Sequence, residues 1–196
     1  MTFIKTISEE EATGPAAEIY EEDRQGKGYV SNSFRLFAYR PAVYEAWAQL
    51  NGSIKAAMGL RRYELATLAA ARTLKSSYCS LAHGRVLRDR FLGTENLVAV
   101  IVDRTATDLP PEEVAIMDFA EKVAADATSI AAEDIEELRQ LGLDEAEILD
   151  VALAAAARSF FSKVLDAMGA NPDSAYRDME PELQDLLTVG RPIAAG

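Results

Sequence analysis

The chain has 196 residues, 49% of them hydrophobic and 27% charged, with a formal net charge of −12. That length and apolar content suffice for one soluble domain with a full core. The acidic balance excludes nucleic acid and anionic membrane as partners, because a phosphate-binding surface needs clustered Lys and Arg.

The opening MTFIKTISEEEATG turns acidic at once and lacks the order of a signal peptide, so a cytoplasmic address is expected. Glu9 to Asp23 reads as a helix, with Gly14 and Pro15 near its start, and RQGKGYVSNS at 24–33 reads as a loop. Pro41 suits the first turn of a helix that passes through Trp47 and Ile54 to about Met58, where Gly59 ends it. From Arg61 to about Thr73, Leu65, Leu68, Ala69 and Arg72 recur at helical spacing. After a break at LKSS (74–77), a further helix runs from Ser76 to about Phe91. The β-branched patch Val98 to Val102 is isolated and reads as more helix or as an extended connector.

Beyond Pro110, the segment Glu112 to Ala125 places Ile116, Phe119, Ala120 and Val123 on one helical face, and Ala132 to Leu141 repeats the design and stops at Gly142. Asp144 opens a helix whose middle, VALAAAA, is apolar all round and is expected at the centre of the bundle. This run, Val151 to Ala157, is the longest unbroken apolar stretch, far short of the roughly 20 residues that cross a bilayer, so no membrane span is expected. The expectation is a single all-α domain over residues 1–196.

One internal echo stands out. ATLAAAR at 66–72 matches ALAAAAR at 152–158 at five of seven places, each following an acidic residue, Glu64 and Asp150. Two readings remain open: a degenerate duplication of one helical unit, or the mutual likeness of Ala-rich buried helices. At the same offset the second copy has Leu165 for Cys79 and Gly169 for His83, so a duplication would leave the chemistry in the first copy alone.

That chemistry lies in SSYCSLAHG, residues 76–84, which holds the only cysteine and the only histidine of the chain. Cys79 and His83 stand at i and i+4, so on a helix their side chains share a face with Cβ atoms about 5–6 Å apart. With Ser76 as N-cap, Cys79 falls in the first turn, where free N–H groups and the helix dipole favour a thiolate. Glu64 shares an inward stripe with Leu68 and Ala71, and a buried carboxylate requires a partner; the imidazole is the nearest candidate. The opposing reading is that Cys79 and His83 are core packing. One Cys, one His and one Glu fall short of a closed tetrahedral site, so neither metal nor cofactor is expected.

At these residues the chain resembles the alkylhydroperoxidase-like branch of the carboxymuconolactone decarboxylase family, whose pattern is a helical Glu followed by Cys-x-x-Cys-x-x-x-His. Glu64, Cys79 and His83 match it, and Ser76 replaces the first Cys. With ATGPAAEIYEE, GYVSNSF and LPPEEVAIMDFAEKV, the sequence is most similar to the subgroup of peroxidase-related proteins. The resemblance covers about residues 6–170 and leaves 171–196 as a C-terminal extension. It implies an alkylhydroperoxidase-like helical bundle, assembled as a homo-oligomer, a trimer or hexamer. It also implies a small-molecule hydroperoxide as substrate, with Cys79 as nucleophile, His83 as proton shuttle and Glu64 as its orienting carboxylate. Ser76 cannot close a disulfide, so an external thiol or a second subunit must act as reductant. Ser76 and Tyr78 are supporting candidates, as cap or hydrogen-bond donor and as pocket wall.

The rivals are a decarboxylase-like lyase using Glu64 and His83 for proton transfer, and a non-catalytic redox-sensing scaffold. Against the lyase, only Arg61, Arg62 and Arg85 lie near the motif to hold a carboxylate.

Overall fold

Proline and glycine set the boundaries of most elements in the computed structural model, which describes residues 2–195. The helices are α1 (Pro15–Lys27), α2 (Asn32–Phe37), α3 (Pro41–Met58), α4 (Leu60–Thr73), α5 (Ser77–Leu87), α6 (Gly93–Asp103), α7 (Pro111–Asp126), α8 (Ala132–Gln140), α9 (Glu145–Ala167) and α10 (Pro181–Leu187). No strand occurs among the described residues. Pro15, Pro41, Pro111 and Pro181 each sit in a first helical turn, where a missing N–H removes no helical bond. Gly59, at φ 74°, is the pivot on which the chain leaves α3 and enters α4.

Several boundaries differ from expectation. The first helix starts at Pro15 rather than Glu9 and runs on to Lys27. Part of the expected loop is helical, because α2 opens at Asn32. The patch at Val98–Val102 is helix, inside α6. The helix expected to reach Phe91 gives way at Arg88 to a π-helical turn, Arg88–Leu92.

Helix α4 is the central element. Every residue from Tyr63 to Ala71 is buried, and α4 packs against α3, α5, α7 and α9. Fully burying Leu65 or Leu68 is worth about 1.5–3 kcal/mol each in removal of apolar surface from water. The expectation that the VALAAAA helix would be central is corrected. In α9, Val151, Ala154, Ala155 and Leu165 are buried, but Leu149, Leu153 and Phe160 face outward. The start of α9 is fixed by a reciprocal cap: Asp144 accepts from the Ala146 and Glu147 amides, and the Glu147 carboxylate accepts from the Asp144 amide.

The break at LKSS is a Schellman-type stop. The Ser76 amide bonds the Ala71 carbonyl at 2.9 Å and the Lys75 amide bonds that of Arg72 at 3.0 Å, with Lys75 left-handed at φ 56°. Against this turn lies the C-terminal segment, which belongs to the same packing unit rather than trailing from it. Leu183 and Leu187 are fully buried, and α10 packs on α5 and α6. The Gly190 amide donates to Ser77 Oγ at 2.7 Å, and a Cβ at Gly190 would lie 2.1 Å from the Lys75 carbonyl oxygen. Only glycine permits that approach.

Candidate active site

The same stop at Lys75 aims the first turn of α5 at the interior. Ser76 occupies the N-cap position with extended backbone, so Cys79 is the third helical residue. It sits among the orphan N–H groups and at the positive end of the dipole. Ser76 itself supports the turn by position alone. Its hydroxyl is fully buried and bonds neither the helix N-terminus nor Cys79.

One turn on, His83 meets Glu64, with Nδ1 and Oε2 2.5 Å apart and both side chains buried. The carboxylate accepts, so the proton resides on Nδ1 and the lone pair is left on Nε2. Burial first, and then the charge of Arg158, hold the imidazole below its ordinary value of 6.5, against the opposing pull of Glu64. The neutral form is therefore the resting state at neutral pH.

Arg158, which sequence reasoning missed, completes the group. From α9, its Nη1 lies 3.5 Å from Cys79 Sγ and its Nη2 donates to Tyr63 Oη at 3.1 Å. Tyr63 in turn donates to Asn51 Oδ1 at 2.5 Å. Burial works against the guanidinium's charge, but Cys79 and Tyr63 together hold its pKa above the ordinary value. A fixed cation and a helix N-terminus thus converge on one sulfur, and both stabilise negative charge there. A signal for Arg158 existed: it closes an apolar run, and the argument that a buried carboxylate at Glu64 needs a partner applies equally to a buried cation.

Cys79, His83, Glu64 and Arg158 all line one cleft of about 440 Å³. Tyr78 also lines it, but its hydroxyl points into a buried network, donating to Asp173 Oδ2 at 2.6 Å. Burial, followed by the Asp173 charge, holds this phenol well above its ordinary value, so it remains a donor. Asp173 also accepts from the Asn32 amide at 2.7 Å, tying the C-terminal segment to α2 and α5. Of the three arginines near the motif, Arg61 is paired with Glu113 and Arg62 with Glu147. Arg85 lines the cleft while bonding the Ala175 carbonyl and the Asp178 carboxylate. Among the described residues no three His, Cys, Asp or Glu side chains are grouped to hold a metal ion, and no helix is long and apolar enough to cross a membrane.

No curated protein sequence matches the chain. The carboxymuconolactone decarboxylase family pattern matches residues 41–122, which include Glu64, Cys79 and His83 and stop short of Arg158. Among solved structures, an uncharacterized peroxidase-related protein from Ralstonia eutropha, described as an alkylhydroperoxidase AhpD core, is 25% identical. Its TM-score is 0.70, over 96% of this chain and 100% of its own. A peroxidase-related protein from Silicibacter is 18% identical, with a TM-score of 0.75 over 90% of this chain and 92% of its own. The debrominase Bmp8, in complex with 2,3,4-tribromopyrrole, is 15% identical, with a TM-score of 0.76 over 95% and 98%. The last two likenesses concern the fold alone. The likeness at 96% coverage extends past residue 170, taking in much of what was expected to be an extension. Residues 41–122 thus resemble the carboxymuconolactone decarboxylase family, and the fold is shared with an alkylhydroperoxidase-like, peroxidase-related protein.

Proposed function

We propose that the chain is a cofactor-free, one-cysteine thiol oxidoreductase that reduces hydroperoxides. The observation that carries the reading is the position of Cys79 Sγ: first turn of α5, 3.5 Å from the Arg158 guanidinium, in a cleft shared with the Glu64–His83 pair. Neutral His83 takes the thiol proton on Nε2, while Glu64 on Nδ1 stabilises the imidazolium that forms. The thiolate attacks the terminal oxygen of ROOH, the O–O bond breaks, and the imidazolium returns the proton to the departing alkoxide. The products are Cys79 sulfenic acid and ROH.

Two equivalents of an external thiol restore the cysteine: the first displaces water and forms a mixed disulfide, and the second releases the external disulfide. No second cysteine exists to do this internally, and Ser76 is fully buried and cannot substitute. Cys79 is itself only 1% exposed, which favours a small thiol over a protein reductant. The protein works as a cytoplasmic homo-oligomer in this reading.

Turnover of cumene hydroperoxide with dithiothreitol tests it. Cys79→Ser should abolish turnover, and His83→Ala should lower kcat/KM about 10²–10⁴-fold. Full activity in Cys79→Ser would remove the peroxidase reading. Conversion of a lactone acid that survives Cys79→Ser but fails in His83→Ala would establish the lyase instead.

A further inference from the structure

The cleft walls carry more than the reacting groups. Lys27, Lys55, Arg85 and Arg158 line it, against Glu64 as the one carboxylate, in a chain of net charge −12. Three of these cations are engaged: Lys27 with Asp23, Arg85 with Asp178, and Arg158 with Tyr63 and Cys79. Lys55 has no carboxylate within salt-bridge distance among the described residues. Its Nζ stands 5.8 Å from the centre of the Tyr63 ring. It lies close enough to His83 that, after burial and Arg158, its charge also helps hold the imidazole neutral.

Two further donors on the same wall lack acceptors. Trp47 Nε1 and Arg158 Nε are buried without hydrogen-bond partners, and the guanidinium carbon lies 5.9 Å from the Trp47 ring centre. Beside them lies an apolar shelf: Trp47 stacks on Phe161 at 4.1 Å, and Tyr44 adjoins Trp47 at 6.0 Å. Pockets of this size that combine apolar walls with a few directed polar groups accommodate small organic molecules.

We infer that the cleft binds an amphiphilic carboxylate, with an apolar or aromatic body on the Trp47–Phe161 shelf and its carboxylate held by Lys55. This rests on the reading of the cleft as the substrate site, and makes a carboxylate-bearing organic hydroperoxide the favoured substrate and Lys55 its specificity determinant. A bare hydrogen peroxide molecule uses none of these features.

Trp47 is the only tryptophan, so its fluorescence reports occupancy without any turnover. We would titrate 4-phenylbutyrate and its neutral amide into the wild type, Lys55→Ala and Lys55→Gln, and measure kcat/KM for linoleate hydroperoxide and its methyl ester. The expectation is that the carboxylate binds about tenfold more tightly than the amide, and that both substitutions erase the difference. Equal affinity for acid and amide, no binding of either, or a preference that survives both substitutions would overturn the inference. A Lys55-dependent preference without turnover of either hydroperoxide would uphold the inference and reject the peroxidase reading.

Discussion

The look-alike segments 66–72 and 152–158 meet different fates in the fold. In α4 the run is sealed on all sides, whereas in α9 Ala154 and Ala155 are buried while Leu149 and Leu153 face outward. The terminal arginines diverge as well: Arg72 bonds the Leu186 carbonyl, and Arg158 reaches the Cys79 sulfur. Similar sequence therefore produced one structural strut and one wall of the cleft. If the two segments are duplicates, the second lacks the thiol and the imidazole but sets its arginine beside the thiol of the first.

That contrast is open to direct challenge. Leu68→Ala in α4 should cost about 2–5 kcal/mol in urea unfolding, through lost burial and a residual cavity. Leu149→Ala in α9 should change stability by no more than about 0.5 kcal/mol. Equal losses would mean that the outer face of α9 is covered in solution. Gly190→Ala tests the seam between the C-terminal segment and the α4–α5 turn. Its Cβ meets backbone rather than a movable side chain, so a loss of about 1–3 kcal/mol is expected from the same unfolding measurement.

The smallest effect is on pH dependence. Burial and Arg158 lower the His83 pKa from 6.5 in the folded chain, so on acidification the unfolded chain takes up this proton first. The His83 contribution to stability is therefore full above about pH 6.5 and is lost as pH falls below it. His83→Gln should show a shallower decline than the wild type between pH 6.5 and pH 5, measured as the difference between their urea midpoints. Parallel curves would mean that His83 titrates alike in both states.

Much of the site was legible because it is local: the i, i+4 spacing placed Cys79 and His83 on one helical face, and the inward stripe of α4 pointed Glu64 at the imidazole. The contribution of Arg158 arises from packing between helices far apart in sequence, and its 79-residue separation from Cys79 leaves no local period to read. Lys55 and Trp47 were hidden for the same reason. The centrality of α4 over α9 also escaped, because an Ala- and Leu-rich run gives the same apolar pattern whether one face or all faces are covered. Ser76 shows the limit of cap signals: it stands at the N-cap, yet its hydroxyl makes no capping hydrogen bond.

The central claim is that Arg158, His83 and Glu64 act together on one sulfur. The most direct measurement is the single-turnover rate at which cumene hydroperoxide consumes the Cys79 thiol at neutral pH, in the wild type, Arg158→Gln and Arg72→Gln, with folding checked by circular dichroism. The account predicts a loss of about 10²-fold or more in Arg158→Gln, the scale expected when a fixed charge-stabilising donor is removed, and little change in Arg72→Gln. Equal rates in wild type and a folded Arg158→Gln would contradict it.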